Sequence, residues 1–348
     1  MKAARIHRFD PDLTGPRFLE LDEVPEPTIA EPDDVLVRIG GAGVCRTDIH
    51  IIQGAWTEAQ QVDLPYTLGH ENAGWIAATG AGVRNVVEGD AVVVLPGMGD
   101  GTCPACRRGL DNQCEQLAWQ GIQFDGGFTE LLRTKARNVV PLPEGIEPKA
   151  AAPYADAGLT SYHAAKRATR DLEPDDAVVI IGVGGLGHVG VQVLRALTPS
   201  PIIAVDTSDQ ALGLARELGA DHTVKGGSLA AVDEVRELTG GRGAGAVIDL
   251  VGEGDVPQHA FAMTATGGQY LVVGYGGTLS VPALDIMGSE RRIIGNVGGT
   301  YQELRELLTL AQRGVVRLLT TDYPFDQVNE AIGDLAAGKV RGRAVIVP

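Results

Sequence analysis

The chain of 348 residues has little positive charge, few cysteines and no long apolar run. It carries 45 acidic against 29 basic residues, which gives a formal net charge of −16. Such a charge repels phosphate backbones and anionic lipid, so we expect neither a nucleic acid nor a membrane as partner. The sequence contains no run of 18 apolar residues, so it predicts no membrane-spanning helix. A small molecule is therefore the expected partner.

Cysteine occurs only four times. The N-terminal sequence MKAARIHRFD lacks the charged and then apolar pattern of an export leader, so we expect the chain in the cytoplasm. A reducing compartment disfavours disulfides, and the cysteines therefore indicate metal or catalytic ligands. Cys45 stands alone, whereas Cys103, Cys106 and Cys114 form a cluster, which indicates two sites of different kind.

Short β-branched runs alternate with helical stretches from about residue 178 onward. This alternation predicts a parallel sheet with helices packed on it. The predicted strands are AVVII, PIIAVD, HTVK, GAVIDLVG, QYLVVG and RRIIGN. Six strands match the count of the doubly wound, dinucleotide-binding Rossmann fold.

The first part of the chain, to about residue 155, has a different sequence pattern, in which Gly and Pro recur every few residues and the predicted strands are short. It indicates an irregular, mostly β domain. After residue 297 come an amphipathic helix, the segment VNEAIGDLAAGK and a last strand, RAVIVP, which we expect to pack back on that domain. We therefore predict an α/β chain with one domain of residues 1–157 and 298–348 and another of residues 158–297.

A glycine-rich turn, IIGVGGLGHVG, follows the first of these six strands and opens a helix. Gly182, Gly184 and Gly187 have the G-x-G-x-x-G spacing, with Gly185 and Leu186 between them. The first glycine permits the tight turn, the second allows the backbone to approach a pyrophosphate, and the third allows helix and strand to pack closely. The turn predicts a dinucleotide site.

Asp206 ends the next predicted strand, 24 positions after Gly182. A carboxylate there accepts hydrogen bonds from the adenosine ribose hydroxyls and repels a 2′-phosphate. No arginine follows until Arg216, so no compensating cation is evident in the sequence. NAD is therefore the predicted cofactor.

Two short segments of the first domain offer zinc ligands. GVCRTDIH contains Cys45, Thr47, Asp48 and His50, and LGHENAGWIAATG contains His70 and Glu71. A thiolate and a neutral imidazole suit Zn²⁺, and a catalytic site needs three protein ligands and one open position.

The segment GHENAGWIAATGAGV matches the signature G-H-E-x2-G-x5-G-x2-V of zinc alcohol dehydrogenases. With CRTD, GVGGLG and the terminal GKVRGRAVIVP, the chain resembles the zinc-dependent medium-chain dehydrogenases over essentially its whole length. It looks most like bacterial NAD-dependent secondary alcohol dehydrogenases and aryl aldehyde reductases. The resemblance implies a GroES-like catalytic domain beside the Rossmann domain, and a homotetramer.

The resemblance also implies roles for single residues. It assigns Cys45, His70 and Asp156 to a catalytic zinc, Glu71 to an alternate or transient ligand, and Asp48 to the orientation of His70. Aspartate at the third ligand position is a feature of the secondary alcohol and aryl aldehyde enzymes, whereas many relatives have cysteine.

The remaining roles concern the proton path, the cofactor and the substrate pocket. Thr47 is expected to accept the substrate proton, which passes through the ribose hydroxyl to His50 and then to water. The expected further cofactor contacts are Arg46, Thr160, Val273 and Arg343, and Arg341 is an alternative to Arg343. They add to the contacts already named, which are Gly182, Gly184, Gly185, Leu186, Gly187 and Asp206. The expected substrate pocket is lined by Trp56, Leu95 and Trp119, and a secondary or aryl alcohol is the favoured substrate.

The cysteine cluster DGTCPACRRGLDNQC corresponds to the structural zinc loop of the family, whose ligands are spaced x2, x2 and x7. The position of the first cysteine is taken here by Asp100, followed by Cys103, Cys106 and Cys114. A carboxylate oxygen is an acceptable zinc donor. The alternative is an empty loop with three free thiols.

Three other functions share part of this pattern. A zinc-free quinone reductase has the cofactor half but lacks the three zinc ligands, and a non-catalytic NAD-binding protein needs neither a metal site nor a proton path. A polyol or sugar dehydrogenase of the same superfamily is the main competitor.

Overall fold

The structure is a computed structural model that describes residues 1–15, 17–55 and 62–348. Its strands are β1 Lys2–Ile6, β2 Glu20–Glu23, β3 Asp34–Val44, β4 Tyr66–Thr67, β5 Glu71–Thr79, β6 Ala91–Val94, β7 Gly97–Met98, β8 Ala118–Trp119, β9 Leu131–Lys135, β10 Val139–Pro141, β11 Val178–Ile181, β12 Ile202–Asp206, β13 His222–Lys225, β14 Ala244–Asp249, β15 Thr264–Val272, β16 Arg292–Gly295, β17 Thr320–Pro324 and β18 Arg343–Val347. Its helices are α1 Arg46–Ile52, α2 Pro104–Arg107, α3 Pro148–Ala151, α4 Ala157–Ala168, α5 Gly187–Leu197, α6 Asp209–Glu217, α7 Ala230–Leu238, α8 Val256–Met263, α9 Ala283–Ser289, α10 Tyr301–Gln312 and α11 Val328–Ala336.

The chain forms two compact units. The first consists of Met1–Leu159, Gly299–Gly314 and Leu318–Pro348, and the second of Thr160–Gly298 with Val315–Arg317. Within the described residues, no helix is long and apolar enough to cross a membrane.

The first unit is mostly β. Its largest sheet has the strand order β10-β6-β5-β3-β18-β17, and β9 also pairs with β3. The long strand β3 is buried along almost all of its length, because it is covered by partners at both edges and by apolar side chains on its faces. The C-terminal strand β18 pairs with β3 in antiparallel register, so the end of the chain belongs to this sheet.

The second unit contains a six-stranded parallel sheet with the order β13-β12-β11-β14-β15-β16. This is the doubly wound order, in which the chain moves outward from β11 first in one direction and then in the other. The central strand β11 is wholly buried, as the run of Val and Ile in its sequence predicts. The predicted α/β class, with one Rossmann sheet and one mostly β unit, is confirmed.

The sequence did not predict the short helices α1, α2 and α3 of the first unit, nor helices α4 and α9. Helix α4 owes its apolar character mainly to alanine, which gives a weak periodic signal. Helix α9 is short and exposes Leu284 and Met287, so it has no buried stripe of the kind that marks an amphipathic helix.

Candidate functional site

Cys45 lies at the junction of the longest strand and the first helix. It follows β3 directly and is the N-cap residue of α1. Asp48, in the first turn of that helix, accepts a hydrogen bond from the Cys45 N–H at 2.7 Å. This bond fixes the turn, and it also fixes the carboxylate of Asp48 beside the thiol.

His70 approaches the same place from a second segment. It is 2 % exposed, follows Gly69 and precedes β5. Gly69 has a φ of +100°, and a Cβ built there would lie 2.6 Å from the ring of Phe128, so glycine is required at this position. The His70 Nδ1 lies 3.4 Å from Asp48 Oδ1, so the two groups face each other, although the hydrogen bond that the resemblance implies is not formed with good geometry.

Asp156 comes from a third segment, at the end of a 3₁₀ turn over Ala152–Ala155. Its side chain is 18 % exposed, more than those of its neighbours. Asp156 Oδ2 lies 3.5 Å from Cys45 Sγ and 3.5 Å from His70 Nε2. Three segments far apart in sequence thus place a thiol, an imidazole and a carboxylate together.

These distances fit one tetrahedral zinc. With zinc bonds of about 2.3 Å to sulfur and about 2.0 to 2.2 Å to nitrogen and oxygen, a tetrahedron has a sulfur–oxygen edge of about 3.6 Å and a nitrogen–oxygen edge of about 3.4 Å. The ligand atoms of Cys45, His70 and Asp156 all lie within 4.8 Å of one another. The three residues would occupy three corners of such a tetrahedron, and a fourth corner would remain open.

The charges around this cluster also favour a cation. Burial lowers the pKa of His70, but Asp48, Asp156 and Cys45 together raise it well above its ordinary value. Among the described residues, Asp48 Oδ1 and His70 Nδ1 have no hydrogen bond of good geometry, although both are buried. A buried site with this excess of negative groups is suited to a divalent metal ion.

Glu71 and Arg343 form a buried ion pair behind the cluster. Arg343 Nε donates to Glu71 Oε2 at 2.9 Å, and Nη2 donates to Glu71 Oε1. Arg343 Nη2 also lies 3.7 Å from Asp156 Oδ2, and Glu71 Oε1 accepts the Ala157 N–H at 2.9 Å. The structure therefore places Arg343 in the wall of the metal site. Its contact with the cofactor, and the role of Glu71 as an alternate ligand, stay predictions.

The predicted proton path lies on α1. Thr47 and His50 are half-buried and three residues apart, so they share one side of the helix, whereas Asp48 and Ile49 are buried. Arg46, predicted to contact the pyrophosphate, is exposed at the start of the same helix. One short helix therefore carries all three residues beside Cys45.

The second cluster lies in one loop of the first unit. The ligand atoms of Asp100, Cys103, Cys106 and Cys114 lie within 4.8 Å of one another. Cys103 Sγ and Cys114 Sγ are 3.7 Å apart, close to the edge of about 3.8 Å of a tetrahedral zinc–sulfur site. The N–H groups of Cys103 and Thr102 lower the pKa of Asp100 to about 2, so its carboxylate is ionised and able to bind a metal.

Arg137 holds this loop to the rest of the unit, and sequence reasoning missed it. Its Nη1 donates to the carbonyl of Gly99 at 2.7 Å, and its Nη2 pairs with Asp111 at 2.8 Å. Arg137 is 23 positions beyond the last cysteine, outside any local motif. No sequence signal connects it to the loop.

The glycine-rich turn has the geometry of a dinucleotide site. Gly182 has a φ of +91°, and a Cβ on Gly187 would lie 1.8 Å from the Gly182 carbonyl. A Cβ on Gly184 would meet no described atom within 4 Å, so the backbone there is open to the approach of a ligand. Gly185 and Leu186 complete the turn, and Leu186 is the N-cap residue of α5.

Asp206 lies at the carboxyl end of β12, next to this turn. Its Oδ2 accepts the Val183 N–H at 2.7 Å and its Oδ1 accepts the Ser208 N–H at 2.8 Å. These bonds fix the carboxylate at the edge of a cavity of about 120 Å³ that Gly182 and Thr207 also line. The arrangement suits an adenosine ribose.

The other predicted contacts are spread over both units. Thr160 is buried on α4, and Val273 is half-buried just after β15. Leu95 is buried after β6, and Trp119 lies half-buried in β8 and packs on the core of the first unit. Trp56 lies outside the described residues. The roles of these five residues stay predictions.

Two family models match the chain. One is described as the alcohol dehydrogenase GroES-like domain and matches residues 31–144. The other is described as zinc-binding dehydrogenase and matches residues 185–313.

Individual proteins resemble the chain over its whole length. It is 35 % identical over 353 residues to a NAD-dependent alcohol dehydrogenase of Sulfolobus acidocaldarius, with 99 % of each chain covered. It is also 35 % identical over 354 residues to a D-arabinose 1-dehydrogenase (NADP(+)) of Saccharolobus solfataricus, covering 100 % of this chain and 97 % of that one. The crystal structure of the alcohol dehydrogenase of Aeropyrum pernix has a TM-score of 0.94 and 44 % identity, with 100 % of both chains covered.

Proposed function

Since the chain belongs to the zinc-dependent medium-chain alcohol dehydrogenase family, we propose that its first unit binds and activates the alcohol and that its second unit binds the cofactor. The protein is a zinc- and NAD-dependent oxidoreductase that interconverts an alcohol and its ketone or aldehyde by reversible hydride transfer. We assign catalysis to residues 1–157 and 298–348, and cofactor binding to residues 158–297.

The spacing of Cys45, His70 and Asp156 carries this proposal, because their separations match a zinc tetrahedron with one open corner. Bound zinc supplies a Lewis acid that lowers the pKa of an alcohol and polarises a carbonyl. Asp48 holds the His70 ring so that Nε2 points to the ligand cluster. Glu71 and Arg343 form a buried ion pair behind the three ligands, and Arg343 contacts Asp156.

Protons leave the site along helix α1 in this proposal. Thr47 accepts the proton of the substrate hydroxyl, and His50, on the same side of the helix, delivers it to water. Thr47→Ala should therefore lower kcat, whereas His50→Gln should mainly alter the pH profile of kcat.

For the cofactor, we propose that the backbone around Gly184 binds the pyrophosphate and that Asp206 binds the adenosine ribose. Asp206 is the main reason for the expected preference for NAD, because its charge repels a 2′-phosphate. Arg46, Thr160 and Val273 are assigned further cofactor contacts on the family resemblance.

The proposed substrate is a medium-sized secondary or aryl alcohol. The support is the family resemblance and the aliphatic Leu95, at a position where relatives of small-alcohol specificity often carry a bulkier aromatic residue. A relative that acts on a sugar is as similar as the alcohol dehydrogenases, so a polyol is the alternative. NADH-monitored turnover over ethanol, 2-butanol, 1-phenylethanol, sorbitol and D-arabinose tests the proposal. A kcat/KM at least tenfold higher for ethanol or for the sugars than for 1-phenylethanol would overturn it.

We propose that a structural zinc binds Asp100, Cys103, Cys106 and Cys114, which gives two zinc ions per chain. Such a metal stabilises its loop without taking part in the reaction. Metal analysis of protein purified in the presence of zinc tests this. One zinc per chain, with the three thiols freely alkylated, would contradict it.

We also propose a homotetramer in the cytoplasm. Strand β16 lies at the edge of its sheet and exposes Ile293, and the neighbouring helix α9 exposes Leu284 and Met287, so an apolar edge is open to a second copy. All four cysteines lie in the two proposed metal sites, as expected in a reducing compartment. Light scattering that gives a monomer mass would contradict the assembly.

A further inference from the structure

Lys225 lies next to Asp206, the proposed ribose contact, although the two residues are far apart in sequence. It ends β13, and in the parallel register of the sheet its Cα partner is Asp206, at the end of β12. Neighbouring strands lie about 4.8 Å apart, so the two side chains belong to the same edge of the sheet. The sequence shows no nearby arginine, but the fold supplies a lysine.

This lysine is already engaged. Lys225 Nζ lies 2.6 Å from Asp209 Oδ1, in the first turn of α6. The pair is solvent-accessible, because the lysine side chain is 52 % exposed and the aspartate side chain is 88 % exposed. An exposed ion pair contributes little to stability, so Asp209 is not required there for the fold.

The position of the pair bears on the choice of cofactor. Asp206 is fixed by the N–H groups of Val183 and Ser208, and the turn from Asp206 to Asp209 leads directly to the partner of Lys225. A 2′-phosphate on a ribose held by Asp206 would meet this turn. The carboxylates of Asp206 and Asp209 lie there, and Asp209 neutralises the ammonium group of Lys225.

We propose that Asp209 is a second determinant of cofactor specificity, which acts by pairing with Lys225 and so withholds the nearest cation from the 2′-phosphate of NADP. The inference rests on the proposed cofactor site. Relatives with equal identity to this chain are named for NAD in one case and for NADP in the other, so overall similarity does not decide the cofactor and the side chains at this edge must be tested directly. In this chain the cation nearest to a 2′-phosphate is Lys225, and it is paired with Asp209.

Asp209→Asn tests the proposal, because asparagine keeps the shape of the side chain and releases Lys225. It is measured in the Asp206→Ser background, where the first carboxylate no longer hides the effect. The readout is the ratio of the dissociation constants of 5′-AMP and 2′,5′-ADP from calorimetry, which needs no alcohol and no turnover. Asp209→Asn should shift this ratio toward 2′,5′-ADP by about three- to tenfold, and the shift should shrink at high salt.

Two controls separate this mechanism from a general charge effect. Lys225→Gln, added to Asp206→Ser and Asp209→Asn, should abolish the shift. Asp233→Asn removes an exposed acid from the first turn of the next helix, α7, and should leave the ratio unchanged. A shift of equal size with and without Lys225, or no shift at all, would overturn the proposal.

The same experiment distinguishes failure of the proposed cofactor site. If 5′-AMP does not bind the unsubstituted protein, the site itself is wrong and the inference falls with it. If 5′-AMP binds and the ratio does not respond to Asp209→Asn, the inference alone is wrong. The kcat/KM values for NADP and NAD should follow the binding ratio in the same variants.

Discussion

Loss of Arg343 should destabilise the first unit more than loss of any exposed charge. Arg343→Met leaves Glu71 Oε2 without its donor and Oε1 with only the Ala157 N–H, in a place where Glu71 is fully buried. Removing one partner of a buried, hydrogen-bonded pair costs about 3 to 5 kcal/mol of unfolding free energy, because the remaining charge has no water to replace the lost partner. That is a large part of the stability of an ordinary domain.

Urea unfolding of the zinc-loaded protein measures this cost. Trp75 and Trp119 both lie in the first unit, so tryptophan fluorescence follows the unit that contains the pair. Arg313→Met is the matched control, because Arg313 is an exposed arginine of the same unit, and its effect should stay within about 0.5 kcal/mol.

A double variant gives the decisive comparison. Glu71→Gln combined with Arg343→Met removes both charges of the pair, and the amide oxygen can still accept the Ala157 N–H. It should be within about 2 kcal/mol of the unsubstituted protein, and more stable than Arg343→Met alone. If Arg343→Met costs less than about 1 kcal/mol, or if the double variant is the least stable of the set, the reasoning about the pair is wrong.

Three further predictions concern the metal sites and acid stability. Asp156→Ala should remove one zinc per chain and abolish turnover while 5′-AMP still binds, and Asp156→Cys should restore the metal; normal turnover by Asp156→Ala would refute the ligand assignment. Asp100→Asn keeps an oxygen for the N–H groups of Thr102 and Cys103 but removes the charge, so it should release the structural zinc to a chelator faster, and Asp100→Cys slower. Burial raises the pKa of Asp34, but hydrogen bonds from Lys135 and from two backbone N–H groups bring that pKa below the ordinary value of 3.8. The stability that these bonds give is present above pH 3.8 and is lost as the pH falls through the folded-state pKa. The free energy of unfolding of Asp34→Asn in urea should therefore depend less on pH in that range.

The order of most elements in the second unit was predictable because most of its strands are short apolar runs and its helices other than α4 and α9 have an apolar stripe. The register of the sheet was not, because no local pattern tells which residue of β13 lies beside Asp206. The position of Lys225 beside Asp206 is therefore a property of the fold that the order of residues along the chain does not show.

The metal sites show the same division. Candidate ligands could be named from Cys45, His70 and the cysteine-rich loop, since thiolates and imidazoles in short motifs carry a chemical signal, and their role as ligands stays a prediction. The partner of Glu71 was not, because Arg343 is 272 positions away in sequence and only the pairing of β18 with β3 brings it near. Burial of a charge pair depends on packing, which a motif does not encode.

The two clusters differ in how much chain separates their ligands. Asp100 and Cys114 are 14 positions apart, whereas Cys45 and Asp156 are 111 apart. Because the entropy of loop closure grows with the logarithm of loop length, closing the longer loop in an unfolded chain costs about 1.8 kcal/mol more. The loop of residues 100–114 should therefore be able to bind the proposed structural zinc early, while the chain is still being made. The site at Cys45 can form only after residue 156 has been synthesised and the segments that carry its ligands have come together, so activity should appear last during folding.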